Sequence, residues 1–214
     1  SEIMKIALPM ILAWYFERHE GAMNWRNFVV AAILVAIPFA LVVRQPDLGT
    51  ALLIGASGFF VLYLAGLDWR VIVGAVVLGV CAAALMWHFE VGIHDYQKQR
   101  VMTFLNPEED GQGSGWHTTQ AAIAIGSGGL LGKGWLNGTQ THLEFLPEKH
   151  TDFIFAVYGE EFGLLGGIVL LVLYLLFIGR CFLIAANAST LFGRLMAGSM
   201  SLMFFTYAFV NMGM

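Results

Sequence analysis

Residues 145–155 read FLPEKHTDFIF: a proline turn, then Glu148, Lys149, His150 and Asp152 with Thr151 between them, then a long apolar run. Two kinds of chemistry fit this pattern. Thr151 or Asp152 can cap the helix that starts there, accepting hydrogen bonds from its free N–H groups, and the helix dipole favours a carboxylate at that end. Asp152 can equally act as a general base, because an acid crowded by Glu148, Lys149 and His150 has neighbours able to tune its proton affinity. The local pattern leaves both readings open. Further along the same run come Glu160 and Glu161. At about 1.5 Å per residue they lie roughly 12–14 Å beyond Asp152 on a continuous helix. A carboxylate at that depth is costly and is expected to face a polar cavity or a basic partner. Gly159, Gly163 and Gly167 share a small-xxx-small spacing that would let another helix approach closely.

Such residues need a scaffold, and the composition says which. The 214 residues are 58% hydrophobic and 12% charged. Soluble domains carry about 25% charged residues, so lipid is the expected solvent for most of this chain. A span takes about 20 largely apolar residues. Stretches that fit lie near 3–16, 27–43, 50–66, 70–91, 151–179 and 191–214. The expected fold is all-α: one polytopic transmembrane helical bundle over 1–214, with a large extracytoplasmic loop, 92–150, carrying short interfacial helices. The sequence has no initiator Met, and its last apolar run reaches its last residue. It is therefore expected to be an excerpt of a longer protein. No secretory signal pattern stands at its start.

Lys and Arg in short loops set orientation. Arg18, Arg26, Arg70, Arg180 and Arg194 fall on one side, and Arg44 falls on the other with the long loop. The loop is thus expected outside the cytoplasm. Within it, HDYQKQRVMTFL (94–105) could lie along the membrane surface. AAIAIGSGGLLGKGW (121–135) is too short to span and is broken by glycines. It reads as a re-entrant or interfacial segment whose backbone must be shielded by protein or water.

Several classes of function are excluded or unsupported. A net charge of −4 with no basic stripe excludes nucleic-acid binding. Cys81 and Cys181 are read as two buried free thiols. The histidines lack zinc spacing. GSGGLLGKG lacks the Lys-Ser/Thr ending of a nucleotide-binding P-loop. What remains is a set of charges on the outer side. Lys5 stands one turn from Glu2, where an i,i+3 pair would satisfy both. Arg44 and Asp47 stand in the turn VVRQPDLGT. Arg100 and Lys133 lie in the loop, where cations could hold a diphosphate.

The stretch GKGWLNGTQTHLEFLPEKHTDFIFAVYGEEFG, with QPDLGT, HDYQKQRV, IAIGSGG and the opening SEIMKIALP in matching order, resembles the SEDS family (shape, elongation, division and sporulation proteins), and its elongation branch more than its division branch. The resemblance covers essentially the whole chain. It implies about ten transmembrane helices, of which this chain would hold roughly the fourth to the ninth. It implies a peptidoglycan glycosyltransferase in the bacterial inner membrane, polymerising lipid II during cell elongation. Its partners would be a class B penicillin-binding protein and other membrane proteins of the elongation complex. The family's invariant acid falls on Asp152, and its polar Glu and Lys fall on Glu2 and Lys5. Asp152 would be the catalytic base, with inversion at the donor sugar. Substrate-binding residues would come from Glu2, Lys5, Arg44, Asp47, Arg100, Gln120, Lys133, Glu148, Thr151 and Glu161. No cofactor is assigned. A divalent cation, Mg or Mn, could serve the diphosphate, with no ligands identified.

Two rival readings stand beside this one. A flippase or transporter of the same precursor would use Glu160, Glu161 and the broken segment for alternating access. A scaffold would only position a partner enzyme, and Asp152 would then be dispensable.

Overall fold

The apolar runs become helices, and no strand occurs among the described residues. The computed structural model describes residues 2–45, 48–89, 114–138 and 153–213. The helices are α1 (Met4–Arg18), α2 (Trp25–Val43), α3 (Leu48–Leu64), α4 (Trp69–Phe89), α5 (Ser114–Ser127), α6 (Ile154–Asn187) and α7 (Leu191–Gly213). Three of them, α2, α6 and α7, are long and apolar enough to cross a membrane. The expected spans at 3–16, 27–43, 50–66, 70–91 and 191–214 each match one helix to within a few residues. The stretch 94–105 lies outside the described residues.

The chain forms two compact units. The first comprises residues 1–75 and 175–207. There α3 packs on both α1 and α2, which also touch each other. On α1, Lys5, Leu8, Pro9, Leu12, Ala13 and Phe16 are buried, a three-and-four spacing that places them on one stripe. They meet Ala31 and Val42 of α2, Ala51, Ile54 and Val61 of α3, and Leu195 of α7. Gly58 admits Val35 where a side chain would otherwise stand, which is how small residues bring transmembrane helices together. Phe16 is fully buried, with its ring 5.3 Å from that of Phe28. Phe16→Ala should cost about 3 kcal/mol through the cavity it leaves, read as a lowered thermal unfolding midpoint in detergent.

The other faces of these helices remain apolar and exposed, as at Ile11, Trp14, Ile33 and Leu41. Lipid is the solvent that suits such faces. The thiols follow the same logic and correct the sequence reading. Both are free, but Cys81 is exposed and Cys181 half-buried, because an apolar neighbourhood in this chain is as often a lipid-facing surface as a core.

The second unit, residues 76–174 and 208–214, contains α5 and the first part of α6. Here the expectation of one uninterrupted run over 151–179 needs two corrections. The helix continues to Asn187, so the joint before α7 shrinks to residues 188–190 and Arg180 sits within α6. Second, α6 is broken at Gly163, whose φ of 65° and ψ of −164° are not helical. That region of backbone space is open essentially to glycine alone. From the break to Asn187 run about 24 residues, roughly 36 Å of helix, enough to cross a hydrocarbon core of about 30 Å. Glu160 and Glu161 lie just before the break, at the N-terminal end of the candidate span Ile154–Asn187.

Candidate active site

The described part of the HTDF motif begins with Phe153. Its carbonyl accepts hydrogen bonds from the N–H groups of Ala156 and Val157, which makes Phe153 the N-cap residue of α6. Thr151 and Asp152, the capping candidates, directly precede that position in the chain. Asp152, Thr151, Glu148, Asp47 and Arg100 lie outside the described residues. Arg44 is exposed just past the end of α2.

Next to this helix start, α5 and the glycine segment build a polar joint. Ala121 and Ala124 of α5 pack against Ala156 and Phe153. Further along, Ile125 touches Gly159. The segment 128–134 then turns back and enters the break in α6. A continuous helix would bond Leu164 N–H to Glu160 C=O and Leu165 N–H to Glu161 C=O. Instead, Leu164 and Leu165 donate to the carbonyls of Gly129 and Leu130, at 2.9 and 3.1 Å. The freed carbonyls of Glu160 and Glu161 accept from the N–H groups of Lys133 and Gly134, at 3.1 and 2.9 Å. Two helical bonds are replaced by four bonds to the inserted segment, so these four backbone groups all keep partners. Only glycine fits such an approach. A Cβ at Gly132 would collide with the Glu161 carbonyl, and one at Gly163 with the Gly132 amide.

Side chains secure the same joint. Lys133 Nζ lies 2.7 Å from Glu160 Oε1, and the Glu160 side chain is fully buried. The Ser127 hydroxyl stands 3.5 Å from the same carboxylate oxygen while donating at 2.8 Å to the Ala124 carbonyl. Tyr158, before the break, donates from its hydroxyl to the Gly166 carbonyl beyond it, at 3.1 Å. Trp135 packs on Phe162 with ring centroids 5.8 Å apart. Glu161 and Gln120 are also buried, with no hydrogen bond or ion pair between side chains found for either among the described residues.

The 121–135 stretch is the end of a short helix followed by glycine-rich coil; Ala121, Ala124 and Gly128 are buried, while Leu130, Leu131 and Trp135 are exposed. Lys133, read as a diphosphate contact, is paired here with Glu160. Sequence spacing could not show this, because the partners are 27 residues apart. The small-xxx-small reading holds for Gly159 alone. Gly163 breaks its helix, and Gly167 has nothing within contact.

The other cation stands in the first unit. Lys5 pairs with Glu2 at 2.7 Å, as the i,i+3 spacing predicts, with Lys5 buried and Glu2 exposed. Its ammonium also lies 5.2 Å from the ring centre of Tyr207 on α7, within cation–π range. Nothing local in the sequence pointed to Tyr207. In the same unit, Phe177, Cys181 and Ile184 of α6 face Met200, Ser201 and Phe204 of α7 across an apolar groove of about 320 Å³.

The fold defines a helical membrane protein whose polar joints carry two ion pairs, each with one buried partner. The family model of FtsW, RodA and SpoVE, described as cell cycle proteins, matches residues 1–214, and the chain belongs to that family. It is 54% identical over 214 residues to the peptidoglycan glycosyltransferase MrdB of Escherichia coli K12, covering all of this chain and 57% of that protein. It is 37% identical over 218 residues to the MrdB of Helicobacter pylori J99, covering 55% of that protein. A chain from a solved structure, described as structural coordination of polymerization and crosslinking by a peptidoglycan synthase complex, superposes with a TM-score of 0.76 at 30% identity. The match covers 98% of this chain and 56% of that one. The chain thus spans little more than half the length of these relatives.

Proposed function

We propose that the protein containing this chain is a peptidoglycan glycosyltransferase that polymerises lipid II on the outer face of the bacterial inner membrane. The observation that carries the reading is the 54% identity, across every residue of this chain, to a protein named for that activity. The likeness to a chain of a peptidoglycan synthase complex supports a penicillin-binding protein, of the class B transpeptidase type, as its partner.

In this reading an acceptor sugar hydroxyl attacks the anomeric carbon of a donor linked through diphosphate to polyprenol. Asp152 takes the hydroxyl proton as the new bond forms. The diphosphate leaves from the opposite side, so a single displacement inverts the sugar carbon. Cationic groups offset the charge that grows on the leaving diphosphate. Lys5, Arg100 and Lys133 are the cations proposed for that role, Lys5 being paired with Glu2 and Lys133 with Glu160. Glu2 holds Lys5, while Arg44, Asp47, Gln120, Glu148, Thr151 and Glu161 remain proposed contacts to the substrate. Among the described residues no group of three or more His, Cys, Asp or Glu could hold a metal, so no step is assigned to Mg or Mn. Lipid tails suit the apolar grooves between helices.

The broken α6 gives the flippase reading its one specific support, since transporters place discontinuous helices at their sites. One assay separates the two. Full-length protein with its transpeptidase partner, the crosslinking site blocked, is given purified lipid II. Glycan strands are the expected product. Lipid II carried across a vesicle membrane without strand formation would favour the flippase.

A further inference from the structure

The four backbone groups at the break of α6 can be satisfied in two ways. With residues 128–134 inserted, they bond to Gly129, Leu130, Lys133 and Gly134. With the segment withdrawn, Leu164 and Leu165 could bond back to Glu160 and Glu161, because Gly163 can also adopt helical angles. A continuous helix and a broken one are therefore both fully hydrogen-bonded at this point. The two differ in where the first turns of α6 point, and those turns begin directly after Asp152.

Beside the backbone bonds, one ion pair ties the segment to the helix. Glu160 is fully buried, and the Lys133 ammonium lies 2.7 Å from it. A buried carboxylate that loses its cation is strongly disfavoured. Withdrawal of the segment would strand that carboxylate, so the pair keeps the segment seated. We propose that Lys133 and Glu160 are a positioning pair: they hold residues 128–134 inside the opened backbone of α6 and thereby fix the direction of the helix section that follows Asp152. The catalytic side of this inference rests on the glycosyltransferase reading. The holding of the segment does not.

The test uses the full-length protein in its complex, with Lys133→Met, Glu160→Gln, the exchange Lys133→Glu with Glu160→Lys, and Gly163→Ala. Amide hydrogen exchange is followed by mass spectrometry at residues 133, 134, 164 and 165, and polymerisation kinetics on lipid II are measured alongside. In both single charge variants the amides of Lys133 and Gly134 should exchange at least about tenfold faster, having lost their acceptors. Those of Leu164 and Leu165 should stay protected, because they re-form helical bonds. Gly163→Ala should give the same asymmetry with the ion pair intact in sequence, since its side chain disfavours the broken backbone. The kcat should fall at least about tenfold with KM within about threefold, and the charge exchange should restore both protection and rate.

Unchanged protection at 133 and 134 in both single variants would overturn the proposal. So would simultaneous loss at all four amides, which would mean that the pair holds the helix itself. A raised KM with kcat retained would make Lys133 a substrate contact instead. If the wild-type complex makes no glycan but the asymmetric exchange appears, the glycosyltransferase reading falls and the holding pair stands.

Discussion

Full-length protein carrying Asp152→Asn, purified with its transpeptidase partner, should make no detectable glycan from lipid II while retaining its thermal unfolding midpoint. Asn keeps the size and hydrogen-bonding capacity of the side chain and removes only its ability to take a proton. A general base contributes about 10²- to 10⁴-fold to a proton-transfer step, so a loss in that range separates the two roles. Were Asp152 a helix cap alone, Asn would serve almost as well, since both rank among the best capping residues. The readout is strand length and yield on a gel, with the transpeptidase site blocked. Wild-type yield from the Asn variant would move the base to another residue.

Lys5→Met should abolish most polymerisation at small cost in stability. Lys5 is buried, but its partner Glu2 is exposed, so removing the lysine strands no buried carboxylate. Exposed ion pairs contribute about 0–1 kcal/mol, and Met preserves much of the apolar stem packed near Tyr207. The unfolding midpoint should therefore shift little. If the ammonium offsets charge on the departing diphosphate, kcat should fall about 10²-fold or more, as when one preorganised charge-stabilising donor is removed. A rate near wild type would confine Lys5 to its contacts with Glu2 and Tyr207. Comparison with Lys133→Met is informative, because there the stranded Glu160 is fully buried and folding should suffer more.

The sequence by itself determined the membrane class and most of the element boundaries. Long apolar runs between polar joints admit one solution in lipid, the helix that satisfies its own backbone. For this reason α1 to α4 and α7 were legible from hydropathy alone. The Glu2–Lys5 pair was legible as well, because one turn of helix brings i and i+3 together whatever surrounds them. The family signature was readable as a string, and it singled out Asp152 without any geometry.

Only the tertiary structure decided how α6 ends its regular course and who meets Glu160. Hydropathy sees an unbroken run through Gly163, since a glycine is compatible with both a helix and its interruption. The break exists because residues 128–134 supply two acceptors and two donors at the right place, and that fit depends on a fold bringing distant segments together. The same holds for Lys133, which packing sets beside the Glu160 carboxylate, and for Tyr207 beside Lys5. Local rules reach about one helical turn along the chain. Contacts between residues tens or hundreds of positions apart are set by which surfaces the packed helices present to each other.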